Sequence, residues 1–307
     1  MQFIWKAAKQ AYTEKDWRDF VFFSANVQHL LGIHQLGIQQ NLHREVINFS
    51  VRQAEMDPAK FKFDDKSFRL SPPERPQVIL SFHFGYYRAV PAFLVQRGYK
   101  LCIPVTKEVM IGQIKYDEEL LGGQWEEQVL FLEAGDPYLF FKLRRQMDLG
   151  YHIFCYLDGG GYAVKDFPPQ KLSEIPFLNG HIKINRGILH MAFLLQKNIT
   201  VLIAKITEQN KPIGISTLSH WFANWFPSAR QFTDYYSRII YDDFEEAVLE
   251  SPEAWEAWLY LHRIMLPSSD ESAWPIASRV ISFSIKGKQL LLDKFTYRSY
   301  VFPGTIF

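Results

Sequence analysis

A histidine stands where an apolar, strand-like run ends, which is a position suited to acid–base chemistry. His83 directly follows the run VILSF at residues 78–82, and Gly85 permits a tight turn behind it. In open α/β sheets ligands bind outside the carboxyl ends of the strands, and a histidine there can act as a general base near working pH. The alternative interpretation is a polar residue that closes a strand and hydrogen-bonds to a nearby carbonyl group.

The second candidate is the segment YLDGGG, which places Asp158 and three glycines, beginning with Gly159 and Gly160, after another apolar run. Glycines let a backbone approach a ligand closely or expose its amides. No Lys-Ser/Thr pair follows and no G-x-G-x-x-G pattern is present, which excludes a P-loop and a dinucleotide fingerprint. Asp158 could orient a basic group, or it could cap a turn.

Several common kinds of active site are excluded by missing motifs. The sequence has no G-x-S-x-G elbow of a serine hydrolase and no H-E-x-x-H helix. Its histidines are dispersed and lack C-x-x-C partners, so no metal site is expected. Cys155 lies inside a strand-like pattern, which favours an inert buried thiol over a nucleophile.

The composition is that of a folded globule without a strong charge. The chain has 307 residues, 48% of them hydrophobic, with 34 Lys and Arg against 33 Asp and Glu and a net charge of +1. This balance gives no reason to expect a nucleic-acid partner. Two cysteines are too few for a disulfide framework and favour a reducing compartment.

Neither a secretory signal nor an apolar stretch of about 18 residues is present, so we expect a soluble, cytoplasmic protein. Trp17, Phe20, Phe22 and Phe23 crowd one short segment that could rest peripherally on the inner membrane. The alternative is that these side chains pack on the α/β domain.

The apolar periodicity predicts a helical N-terminal segment over residues 1–75 and an α/β domain over 76–307. The three prolines of LSPPERP, at 70–76, make a plausible joint between them. Strand-like runs and helix-like stretches then alternate, which predicts a mostly parallel central sheet flanked by helices. The predicted strands are 78–82, 101–105, 129–132, 153–157 and 200–206, with the runs 213–218 and 279–284 as further candidates. The predicted helices are 86–96, 137–149, 185–196 and 252–265.

Five segments in this order resemble the lysophospholipid acyltransferase superfamily, and most closely its bacterial branch of lipid A late acyltransferases. The similar segments are His83 to Tyr87, Leu143-Arg144 to Asp158, IPFLNG at 175–180, the helix and strand at 185–206, and PEAWEAW at 252–258 with His262-Arg263. The match covers about residues 75–265. It implies a glycerolipid acyltransferase-like fold.

The resemblance implies transfer of an acyl group from a thioester donor to a hydroxyl or amine acceptor. The donor would be acyl carrier protein or coenzyme A, the acceptor a small molecule or a lipid, and neither a bound cofactor nor a metal is implied. His83 would be the general base. The candidate substrate-binding positions are Gly85, Tyr86, Arg88, Arg144, Gly159, Gly160 and Phe177.

One position departs from the family pattern. The family has an acidic residue five positions after the histidine, whereas this sequence has Arg88. Either another acid replaces it, with Asp158 the nearest candidate on topological grounds, or the acceptor is easily deprotonated, or acyl transfer has been lost. Arg88 could then clamp a carboxylate or phosphate of an unusual substrate. The alternatives to an acyltransferase are a catalytically altered relative that binds an acyl chain or a carrier protein, and a related thioester reaction such as hydrolysis.

Overall fold

A computed structural model of the chain describes residues 12–55, 62–64, 66–70, 72, 74–107, 109–110, 127–158, 172–205, 212–221, 226–266 and 274–302. The chain forms two compact units. The α/β unit comprises 49–159 and 185–255, and the accessory unit comprises 1–48, 160–184 and 256–307. The units are therefore interleaved along the chain, whereas the sequence suggested a single boundary near residue 75.

The described helices and strands alternate through the middle of the chain. The α-helices are α1 (Glu14–Leu31), α2 (Leu36–Glu55), α3 (Ala89–Gln96), α4 (Leu139–Asp148), α5 (Gly187–Leu194), α6 (Ala229–Glu250) and α7 (Ile276–Arg279). The strands are β1 (Phe63–Asp64), β2 (Val78–Ser81), β3 (Lys100–Val105), β4 (Val129–Glu133), β5 (Tyr151–Tyr156), β6 (Leu172–Phe177), β7 (Gly180–Asn185), β8 (Ile199–Ala204), β9 (Ile213–Trp221), β10 (Val280–Ile285), β11 (Lys288–Asp293) and β12 (Arg298–Val301). None of the helices in this described part is both long and apolar enough to cross a lipid bilayer.

The α/β unit contains a seven-stranded sheet in the order β1-β9-β8-β2-β5-β3-β4. Every neighbouring pair is parallel except β8 with β9, so the predicted α/β class with a mostly parallel sheet is confirmed. The predicted run 213–218 does extend the sheet, as β9. Contrary to the expectation of an all-helical segment before residue 75, β1 also joins the sheet.

The central strands are apolar because both faces of the sheet are covered. All four residues of β2 and all six of β8 are buried. Strands buried on both faces read as continuous apolar runs, which is why VILSF and ITVLIA were recognisable from sequence. Helix α3 then returns the chain to β3 and ends at Gln96, two residues before Gly98, whose φ of +83° lies in the left-handed region.

The accessory unit contains α1, a three-stranded antiparallel sheet in the order β10-β11-β12, and the pair β6-β7. The run at 279–284, expected to extend the main sheet, instead forms β10 of this separate sheet. Trp17, Phe20 and Phe23 are buried here, and the Trp17 indole donates to the carbonyl of Ser282 at 2.7 Å. These aromatic side chains of α1 therefore pack inside the protein, and the interpretation as a membrane-resting segment is wrong.

The prediction of a helix at 252–265 is also wrong. The segment forms three short 3-10 turns, at Pro252–Ala254, Glu256–Leu259 and Leu261–Arg263. Trp255 interrupts them because its backbone is extended, with φ −95° and ψ 106°, and forms a bridge with Phe84. A continuous helix would lose that bridge.

Candidate active site

The register between β2 and β5 brings His83 and Asp158 together. The two strands are parallel neighbours, Ser81 is paired with Tyr156, and the Leu157 N–H donates to the Ser81 carbonyl at 2.9 Å. His83 and Asp158 each lie two residues beyond the Ser81–Tyr156 pair. They therefore meet at the carboxyl edge of the sheet although 75 residues separate them in sequence.

The contact between the two side chains is close and mostly shielded from water. His83 Nδ1 lies 2.8 Å from Asp158 Oδ1, with 20% of the histidine side chain and 2% of the aspartate side chain exposed. The His83 backbone N–H also donates to both carboxylate oxygens, at 3.0 and 3.1 Å. The aspartate thus fixes both the backbone and the ring of the histidine.

This arrangement defines the tautomer of a neutral His83. An ionised carboxylate only accepts hydrogen bonds, so Nδ1 carries the hydrogen and donates it to Asp158. Nε2 then holds the lone pair and is the atom that can take a proton. A carboxylate behind the imidazole also stabilises the charged ring formed by that step. The pair has the chemistry of a general base with its orienting acid.

Trp255 completes the surroundings of the carboxylate. Its indole Nε1–H donates to Asp158 Oδ2 at 2.8 Å, on the oxygen opposite the one that meets the imidazole. The Trp255 ring packs edge-on against Phe244, with centroids 5.5 Å apart, and Phe244 stacks on Phe82 at 3.7 Å.

Burial, and secondly the charge of Asp158, raise the pKa of Tyr241 well above its usual value, so its phenol stays protonated.

Two tyrosine rings flank the imidazole. The ring centroids of Tyr87 and Tyr156 lie 4.7 and 4.4 Å from that of His83. The Tyr156 hydroxyl donates to the Tyr87 carbonyl at 3.1 Å, and this hydrogen bond links the two tyrosines. Neither tyrosine is among the site residues predicted from the sequence, and Trp255 is not among them either. The available signal was that Tyr87 and Tyr156 are close in sequence to His83 and Asp158.

Gly85 holds the turn that follows His83. Its φ is +59°, and a Cβ built on it would lie 1.7 Å from the carbonyl oxygen of Ala204 on β8. Its N–H donates to the Ala254 carbonyl at 3.0 Å. The glycine is therefore needed because two backbone segments pass too close for any side chain.

Arg88 lies beside the pair but does not replace the acid. Its side chain is exposed, its guanidinium lies over the Tyr87 ring at 5.8 Å, and its Nε donates to the Tyr87 hydroxyl at 3.4 Å. Its backbone N–H donates to Gln53 Oε1 at 3.2 Å. Tyr86 is half-buried, with its ring 5.3 Å from that of Phe49.

The remaining predicted site residues lie on other elements. Arg144 is exposed on α4, and Phe177 is fully buried on β6 of the accessory unit. Gly159 and Gly160 lie outside the described residues. Burial, and secondly the charge of Asp158, raise the pKa of the Cys155 thiol to about 12, which agrees with the inert thiol expected from sequence.

No group of three His, Cys, Asp or Glu side chains that could hold a metal ion occurs among the residues the structure describes. Comparison of the chain with protein-family models and with curated proteins finds no match.

Proposed function

We propose that this chain is an acyltransferase that moves an acyl group from a thioester to a hydroxyl or amine acceptor. The observation that supports this proposal best is the contact of 2.8 Å between His83 Nδ1 and Asp158 Oδ1 at the carboxyl edge of a parallel sheet. It is the base–orienter pair that the resemblance to lipid A late acyltransferases calls for, with the acid supplied from another strand.

The proposed reaction needs one base and no covalent enzyme intermediate. His83 Nε2 takes the proton of the acceptor hydroxyl or amine as its oxygen or nitrogen attacks the thioester carbonyl. The carbon–sulfur bond then breaks, and the imidazolium returns the proton to the departing thiolate. The products are the acylated acceptor and the free thiol of the carrier, so atoms and charge balance.

Asp158 takes the place of the acid that Arg88 replaces. The carboxylate orients the imidazole through Nδ1 and stabilises its charged form during the transfer. Its second oxygen is held by Trp255, so the carboxylate is fixed from both sides. A carboxylate at position 88 is therefore not required for the proposed step.

The experiment is to incubate the full chain with a panel of acyl-coenzyme A and acyl-carrier-protein donors and to measure free thiol. Candidate acceptors are added in turn, and mass spectrometry identifies the acylated product. Thioester loss that yields only free fatty acid would show that water is the acceptor and that the chain is a hydrolase. An acyl chain bound without turnover would instead support the non-catalytic alternative.

Two variants test the assignment of the base and its acid. Asp158→Asn should lower kcat by roughly 10⁴-fold, as expected when an orienting carboxylate is lost, and His83→Ala should lower it at least as much. His190, an exposed histidine of α5, provides the matched control, because His190→Ala should keep full activity. Full thioester consumption by His83→Ala would overturn the proposal.

A further inference from the structure

Helix α4 of the α/β unit presents large apolar side chains to solvent. Tyr138, directly before the helix, is 66% exposed, Phe141 is 65% exposed, and Leu149, directly after it, is 58% exposed. The opposite side of the helix is buried through Leu143 and Met147. Because Leu143 and Met147 already anchor the helix on the unit, the outward apolar side chains contribute nothing evident to folding.

These residues lie in one stripe. Tyr138, Phe141, Arg145 and Leu149 are three or four residues apart, so they share one face, and Lys142 borders it. We call these five residues the α4 outer face. A surface helix normally carries polar residues there, and contiguous exposed apolar side chains mark an interaction site.

Basic side chains are interleaved with the apolar ones. Lys142 is paired with Asp136. Arg145, and Arg144 on the flank, form no ion pair with the described residues, whereas Asp148, four residues after Arg144, is an exposed acid on the same flank. Aromatic and basic residues together on one face are typical of helices that lie at the interface of an anionic membrane.

We propose that the α4 outer face docks on an anionic lipid surface. Phe141, Tyr138 and Leu149 would enter the boundary between headgroups and acyl chains, while Arg145 and Lys142 contact lipid phosphates. A single convex helix suits a fluid lipid surface, which adapts to it, better than a protein partner, which must offer a matching groove. This inference goes beyond the proposed function and is independent of it.

The direction of α4 gives this docking a consequence for the site. The chain leaves β4 at Glu133, at the carboxyl edge of the sheet, and the Ala134 N–H donates to the Val105 carbonyl at the end of β3. Helix α4 begins a few residues later and returns to the start of β5. Its Tyr138 end therefore lies at the edge of the sheet that carries His83.

The test is co-sedimentation of the full chain with vesicles of phosphatidylcholine alone or with roughly 30% phosphatidylglycerol, since anionic lipid attracts basic segments. We expect binding to the anionic vesicles that weakens at about 0.5 M salt. Phe141→Glu should weaken it roughly tenfold or more through lost apolar burial. Arg145→Glu should weaken it by roughly fivefold or more.

Matched controls come from α6, which belongs to the same unit. Leu249 is 61% exposed, and Leu249→Ser tests an exposed apolar side chain elsewhere. Arg238→Glu tests an exposed charge elsewhere, with 67% of the Arg238 side chain exposed. Both should bind vesicles as the unaltered chain does, and circular dichroism checks that every variant is folded.

Three outcomes would overturn the inference. The first is that the chain does not bind anionic vesicles. The second is that the unaltered chain and the two α4 variants bind vesicles equally well. The third is that the same residues bind an acidic carrier protein in place of vesicles. The first two do not bear on acyl transfer, which is measured with water-soluble donors, and the third concerns only where a carrier-bound donor docks. A failure here is therefore distinguishable from a failure of the proposed function.

Discussion

Trp255 and Asp158 are joined by a buried hydrogen bond of 2.8 Å that holds the carboxylate from the side opposite His83. The tryptophan comes from the segment after α6 and the aspartate from the loop after β5, 97 residues earlier. With the His83 contact, this bond leaves the carboxylate little freedom to rotate. Trp255 therefore acts as a positioning residue for the proposed base.

Trp255→Phe should lower kcat by roughly tenfold, because a hydrogen bond to a charged group is worth about 1.5–3 kcal/mol. Phenylalanine keeps an aromatic ring against Phe244 but removes the donor. Asp158 would then hold the charged imidazole more strongly, so the ascending limb of the pH profile of kcat/KM should move to higher pH. Steady-state kinetics across pH measures both effects.

Trp258→Phe is the matched control for this variant. Trp258 is as completely buried as Trp255 but belongs to the accessory unit. The Trp258→Phe variant should have a lower free energy of unfolding, but its pH profile of kcat/KM should be unchanged. An unchanged profile in Trp255→Phe would show that the indole serves packing alone.

Arg88→Glu should not raise activity, although it restores the acidic residue of the resembled family. Asp158 already occupies Nδ1 of His83, and the Arg88 side chain is directed to Tyr87. If Arg88 binds an anionic group of the substrate, both Arg88→Glu and the neutral Arg88→Gln should lower kcat/KM by about 10- to 150-fold. Turnover of Arg88→Glu above that of the unaltered chain would contradict this account.

The chain topology at the site was predictable because its strands are continuous apolar runs. VILSF and YHIFCYL mark β2 and β5, and parallel strands that are neighbours carry the following residues to one edge. That Asp158 reaches His83 follows from this register. The contact between Trp255 and Asp158 does not follow from the register of the strands. It is a long-range contact, and no local sequence pattern predicts it.

The prediction that residues 279–284 extend the main sheet is wrong, and the sequence contains the physical reason. VISFSI alternates apolar and polar residues, and in the structure buried positions alternate with less buried ones along β10. Alternation is typical of an antiparallel strand with one covered face, unlike the continuous runs of β2 and β8. No local sequence pattern of this kind marks the interleaving of the two units along the chain.

Gly85→Ala should prevent stable folding of the α/β unit. The added Cβ would meet the Ala204 carbonyl oxygen at 1.7 Å, and the φ of +59° adds a strain of about 1–2 kcal/mol. Gly98→Ala is the control, since Gly98 also has positive φ, at +83°, but has no atom within 4 Å of the added Cβ. Urea unfolding should show a loss of about 1 kcal/mol for Gly98→Ala. Similar losses for the two variants would contradict the close approach at Gly85.

The accessory unit should lose stability in acid because His43 is buried among aromatic rings. The rings of Phe20, Phe23 and Tyr12 surround it, and neither of its nitrogens has a hydrogen-bond partner in the described part of the chain. Burial lowers the pKa of His43 from 6.5 to about 4, against the weaker attraction of Asp19 and Asp16. The folded state therefore binds fewer protons than the unfolded state between these pH values.

Stability is kept above pH 6.5, the ordinary pKa of histidine, and falls as the pH is lowered towards 4, by up to about 3 kcal/mol for His43. His43→Leu removes this proton uptake, so its acid unfolding midpoint should lie at lower pH, while its free energy of unfolding at pH 7 is kept or increased. Unfolding by urea at a series of pH values measures this, with the exposed His190→Gln as the control. Parallel acid limbs for His43→Leu and the unaltered chain would show that another group, such as His262, whose pKa burial also lowers to about 4, governs the loss.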